Sequence, residues 1–141
     1  MIVNRSAPPA TVVPVLVYPN VETAIDWLTG AFGFVERLRA PGPDGAISHA
    51  QLNVADGAIM IGGPFQLPQD AVPRYVLIHV DDVDAHYERA RRFGARIVQP
   101  PQDMPFGERQ YSAVDLAGYG WTFSQSIADV APQTWGATVK R

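Results

Sequence analysis

The 141-residue chain contains no cysteine, which excludes disulfides, thiolate nucleophiles and cysteine-based metal sites. No apolar run approaches the roughly 20 residues that a membrane-crossing helix needs. The opening stretch MIVNRSAPPA lacks the apolar core of a signal peptide. Charge is also sparse. Asp, Glu, Lys and Arg make up 18% of the chain and the formal net charge is −3. The single basic cluster, Arg89, Arg91 and Arg92, has the helical spacing of a solvated face. These absences lead us to expect a cytoplasmic protein with neither a nucleic-acid nor a membrane partner. What the chain does have is apolar content, 47% hydrophobic, enough at this length for one domain with a packed core.

Local patterns divide the chain into strands and helices. TVVPVLVY (Thr11 to Tyr18) is β-branched and apolar, a buried strand in which Pro14 marks an edge or a bulge. Asn20 then stands as an N-cap, Ala24, Ile25, Leu28, Ala31 and Phe32 recur at helical spacing, and Gly33 fits the stop. Three extended pieces follow: FVERLRA, AISHAQLNV after the turn cluster PGPDG, and AIMIGG after ADG. The pattern then repeats. RYVLIHV reads as a strand, DDVDAHYERARRFGA as a helix capped by Asp82, ARIVQP as a strand, PPQDMPFG as a loop, and ERQYSAVD and GYGWTFSQS as two strands about the turn DLAG.

The repeat has a measurable register. Asn20 and Asp82 stand 62 residues apart, AFG and RFG 61, and the strands around Met60 and Thr122 62. Such agreement indicates duplication. The expected fold is α+β: two tandem βαβββ modules forming a curled mixed sheet around a central cavity. The expected organisation is a loose arm over 1–10, a domain over 11–126 and a tail over 127–141. Within the domain, modules 11–63 and 74–126 flank a Pro-rich linker over 64–73.

AIDWLTGAFGF, IHVDDVDAHYERARRFGA and VDLAGYGWTF together resemble the vicinal oxygen chelate superfamily, which includes glyoxalase I, extradiol dioxygenases, fosfomycin-resistance transferases and bleomycin-binding proteins. The resemblance runs from about Val12 to about Ser126. The run GER, QYS, D, GW and F is similar to the phosphonate-operon, glyoxalase-like branch. The last turn departs from the usual pattern, with Leu116 after Asp115 and Tyr119 after Gly118. Asp115 and Gly118 keep what a tight turn needs, a local acceptor and tolerance of positive φ.

The resemblance also implies where metal ligands would stand. The first-strand positions carry Val13 and Tyr75, and the last-strand positions Met60 and Thr122. A hard divalent ion needs carboxylates, imidazoles or comparable donors to replace its hydration shell, and none of these four supplies one. No metal and no other cofactor are expected. Asp81, Asp82 and Asp84 read as the opening of a helix instead, stabilised by capping and the helix dipole.

Parity along the strands suggests a cavity walled by Val13, Val15, Val17, Met60 and Leu77. Its polar points would be His49, Gln51, Tyr75, Arg109, Tyr111, Thr122 and Ser124. His49 is the candidate acid–base group, with Tyr111 its partner across the cavity at an offset of 62. His86, on the second helix, is expected outside that cavity, and Arg109 either holds an anion or pairs with an acid. Three readings follow. The protein binds an apolar or aromatic small molecule without metal; or it is an enzyme using His49 and Tyr111 or an unconventional metal site; or it is a dimeric interaction protein with a filled cavity. A homodimer is expected in each, and Trp135 in the tail is expected to pack on a partner or on its own domain.

Overall fold

The computed structural model describes residues 4, 6, 8, 10, 13–62 and 75–135, excepting the side chains of Tyr75 and Pro132. Residue contacts divide the chain into two compact units, Met1–Ala71 and Val72–Arg141. The expected linker over 64–73 lies outside the described residues, as does the end of the tail beyond Trp135.

Unit one runs β1 (Val15–Val17), α1 (Val21–Phe32), β2 (Val35–Pro41), β3 (Ile47–Val54) and β4 (Gly57–Gly62). Its sheet has the order β1-β4-β3-β2, with β1 parallel to β4 and the other pairs antiparallel. Pro14 precedes an edge strand, where its missing N–H leaves no gap in the ladder. Asn20 accepts from the Thr23 N–H at 3.0 Å to cap α1, and Gly33 ends it at φ 73°, a left-handed conformation glycine adopts cheaply. The helix presents Ala24, Ile25, Leu28, Ala31 and Phe32, all buried. Ala50, Leu52, Ile59 and Ile61 are buried too, and the register pairs Ala50 with Ile61 and Leu52 with Ile59. Burying each larger aliphatic side chain contributes about 1.5–3 kcal/mol, so this interface holds the unit together.

Unit two runs β5 (Tyr75–His79), α2 (Val83–Phe93), β6 (Arg96–Asp103), β7 (Glu108–Val114), β8 (Gly120–Ser126) and a 3₁₀ turn over Pro132–Trp135. The order β5-β8-β7-β6 repeats that of unit one, again with one parallel pair. The architecture is therefore α+β with two βαβββ units, whose strands form two separate four-stranded mixed sheets. Asp82 caps α2 by accepting from the Ala85 N–H at 3.0 Å. One boundary differs from expectation. The strand expected to end at Pro100 continues to Asp103, into the expected loop. It is an edge strand, and its pairing jumps from Gln99 to Gln102 across Pro100 and Pro101, which have no N–H to donate.

The turn after β7 is closed by two backbone hydrogen bonds, Asp115 N–H to the Tyr119 carbonyl and Gly118 N–H to the Asp115 carbonyl, both 3.0 Å, and reinforced by one side chain. Asp115 Oδ1 accepts from the N–H groups of Ala117 (2.9 Å) and Tyr119 (3.0 Å), while its Oδ2 accepts from Trp121 Nε1 at 3.0 Å. Gly118 takes φ 90° in the same turn. Among the described residues no helix is long and apolar enough to cross a membrane.

Candidate functional site

Each sheet has one face under its helix and one face turned away from it. On the uncovered face of unit one, Val15, Met60 and Gln51 form one rung, since Met60 pairs with both others. His49 lies two residues from Gln51 and shares its face. The Gln51 amide is buried and fully engaged. Its Oε1 accepts from Arg37 Nη1 at 2.5 Å, and its Nε2 donates to the Ser6 carbonyl at 2.9 Å. Nε2 also lies 3.2 Å from His49 Nε2, so that imidazole nitrogen serves as acceptor and the ring proton belongs on Nδ1. The basic nitrogen of His49 is thus already occupied. Ser6 belongs to the arm expected to be loose, and its contact with Gln51 ties it to this face.

Unit two carries the equivalent rung. Leu77 pairs with Thr122, and Thr122 with Ser112, whose hydroxyl is 2.9 Å from the Thr122 hydroxyl. The same face has a concavity of about 670 Å³. Leu77, Val98 and Phe106 supply its apolar wall, and Glu108, Gln110, Ser112 and Thr122 its polar groups. Leu77 and Val98 are 41% and 62% exposed, so both offer aliphatic surface at the concavity. Ser124 is fully buried and its hydroxyl donates to Glu108 Oε1, which also receives Gln110 Nε2 at 3.4 Å.

Tyr111 is not part of this surface, and here the parity expectation needs correction. β7 pairs Tyr111 with Phe123, so both lie on the face that α2 covers. There the Tyr111 hydroxyl meets His86 Nδ1 at 2.5 Å, and its ring stacks on Phe123 at 5.2 Å between centroids. Burial pushes the Tyr111 phenol above its ordinary pKa. His86 is off the uncovered face, as expected, and lies between helix and sheet with its ring 4.1 Å from that of Phe123.

The slip has a physical source. Two residues, Ala55 and Asp56, join the paired ends of β3 and β4, whereas five, Asp115 to Tyr119, separate those of β7 and β8. The rung pairing makes Ser112 the counterpart of Gln51, an offset of 61 (112 − 51), although β4 and β8 keep 62 (122 − 60). Gln110, not Tyr111, is the counterpart of His49, and one residue of slip exchanges the faces.

Arg109 shares the covered face with Tyr111. It forms ion pairs with Asp84 at 3.1 Å and Asp103 at 2.9 Å, the acid-paired alternative of the two expected for it. Tyr75 is the first residue of β5, and its side chain is outside the described set. Met60, Gln51 and His49 share the uncovered face of unit one, and Leu77, Thr122 and Ser124 that of unit two. The residues that sequence reasoning missed are Glu108, Gln110, Ser112, Val98 and Phe106. Counting back from the turn with Ser112 opposite Thr122 would have reached the first three.

The expected metal positions offer poor donors. Thr122 spends its hydroxyl on Ser112, Met60 presents a thioether between Val15 and Gln51, and Val13 has no donor at all. These side chains do not fit a hard divalent ion. Among the described residues, no group of three His, Asp or Glu side chains could hold a metal ion.

Comparison with known proteins agrees with this architecture. The family profile described as Glyoxalase/Bleomycin resistance protein/Dioxygenase superfamily matches residues 10–123. The chain belongs to that superfamily. An uncharacterized protein of Mycobacterium bovis is 35% identical over 127 residues, which cover 83% of this chain and 84% of the relative. Among solved structures, TioX from Micromonospora sp. ML1 is 39% identical, with a TM-score of 0.70 over 81% of this chain and 96% of its own. A glyoxalase/bleomycin resistance protein/dioxygenase from Nocardioides shares the fold at 20% identity, with a TM-score of 0.65 over 89% of each chain. Membership of the superfamily identifies the architecture, while activity depends on the side chains grafted onto it.

Proposed function

We propose that this superfamily member binds an apolar or aromatic small molecule, without a metal, on the uncovered faces of its sheets. The observation that carries this reading is the unit-two concavity of about 670 Å³, with Leu77, Val98 and Phe106 beside a few directional polar groups. That combination of apolar wall and sparse hydrogen-bonding groups is the usual make-up of a small-molecule site. The weak donors at Val13, Met60 and Thr122 support independence from metal. We further place the chain near the phosphonate-operon branch, on its GER, QYS and GW run, and propose a homodimer whose arm, joint and tail flank two βαβββ modules.

The reading is tested with a panel of planar aromatic compounds, followed by thermal shift and tryptophan fluorescence. We expect saturable stabilisation by at least one compound, weakened in Leu77→Ala, which trims the apolar wall, while the unliganded melting temperature is retained because Leu77 is partly exposed. Failure of every compound to stabilise the protein would refute small-molecule binding. Stoichiometric Ni, Zn, Mn or Fe in purified protein, with binding lost in chelator, would refute metal independence. Sedimentation velocity tests the homodimer, and a single monomeric species across the concentration range would refute it.

A further inference from the structure

We propose that Glu108 is the recognition carboxylate of the unit-two concavity and selects planar ligands bearing a cationic or N–H donor group. This rests on the binding reading above and names the class of ligand. Among the described residues of the lining, Glu108 is the one that carries a carboxylate. The contacts to Ser124 and Gln110 both fall on Oε1, so one oxygen is anchored and the carboxylate is held in place. Among the described residues, Oε2 has neither a hydrogen bond nor an ion pair, and the lining contains no Lys, Arg or His. The adjacent Arg109 cannot neutralise it, since that side chain is on the covered face with Asp84 and Asp103.

A carboxylate anchored through one oxygen at an apolar wall is a strong acceptor through the other. It binds N–H donors and cations through charge-assisted hydrogen bonds and repels anions. Phe106 adds to the same preference, because the face of an aromatic ring attracts cations. The Ser112 and Thr122 hydroxyls, bonded to each other, are neutral and leave the sign of selectivity to Glu108. Ligand size is bounded by the cavity, which suits a molecule of two or three fused rings.

Two fluorescent probes of similar shape decide the matter: 9-aminoacridine, a cation with an exocyclic amine, and acridine-9-carboxylate, an anion. Titrations at pH 7 should show the wild-type protein binding the cation at least about tenfold more tightly than the anion. Glu108→Gln keeps an oxygen for Ser124 and should collapse that ratio towards one. Leu77→Lys, at a partly exposed position, should reverse it even if Glu108→Gln folds poorly. Equal or tighter binding of the anion by wild-type protein would overturn the proposal, as would an unchanged ratio in both variants. If neither probe binds but other aromatic compounds do, the binding reading stands and this ligand class is wrong. If no aromatic compound binds, both fail.

Discussion

The Tyr111 hydroxyl and His86 Nδ1 lie 2.5 Å apart on the covered side of the second sheet, which makes Tyr111 a tie between β7 and α2. The pair is flanked by Phe123 and by the ring of Tyr87, 5.4 Å from Tyr111. Such a buried hydrogen bond stabilises the packing of helix on sheet and leaves the phenol little access to ligand.

Replacing Tyr111 by Phe should cost about 1 kcal/mol of stability at pH 8, read from urea midpoints, and leave ligand affinity within about twofold. The pH dependence has a definite sign. The buried phenol holds its proton to higher pH than the unfolded chain, whose tyrosines release theirs near 10. Above that value the unfolded state binds fewer protons than the native state, so this contribution falls as pH rises, by up to about 1.4 kcal/mol per unit. The stability gap between wild type and Tyr111→Phe should therefore narrow between pH 8 and 11. A constant gap would contradict it.

Asp115→Ala should be among the most destabilising single changes in unit two. It removes the acceptor for Trp121 Nε1, which is buried, and for two backbone N–H groups of the turn. A buried donor left without a partner costs about 1–3 kcal/mol, so a total near 3 kcal/mol is expected by chemical denaturation. A loss below about 1 kcal/mol would mean that the turn is held by its backbone alone.

Gly107→Ala should release the segment that follows β8. Gly107 has φ 83°, and a Cβ there would stand 2.4 Å from the Ala128 carbonyl oxygen. The Gly107 carbonyl also accepts from the N–H groups of Ile127 (2.8 Å) and Ala128 (3.3 Å). Displacing this clamp should cost about 2 kcal/mol and part Trp135 from Phe106, whose rings are 5.9 Å apart in a T-shaped contact. Tryptophan emission should shift to the red, and unchanged emission would show that the Trp135 contact survives without the clamp.

Thr122→Glu should not create a metal site. The substitution supplies one carboxylate, but Val13 and Met60 still offer no hard-ion ligand. Calorimetric titration with Zn, Ni or Mn should show no stoichiometric binding. A 1:1 isotherm would mean that the remaining ligands come from elsewhere in the chain.

Local chemistry was legible in the linear chain. The caps at Asn20 and Asp82, the glycine stop at Gly33 and the aspartate-led turn at Asp115 each depend on neighbours within a few residues, so their residue types announce them. Alternation likewise told which residues of one strand share a face. What alternation could not supply was the match of faces between strands. His49 and Tyr111 looked equivalent at an offset of 62, yet the longer β7–β8 connection makes Gln110 the counterpart and sends Tyr111 under the helix. Strand register is a non-local property set by pairing, and a slip of one residue inverts every side chain on the strand. The sequence by itself thus determined the duplicated βαβββ frame and the weak donors at the expected metal positions, whereas only tertiary pairing decided that Glu108 and Gln110 face the concavity.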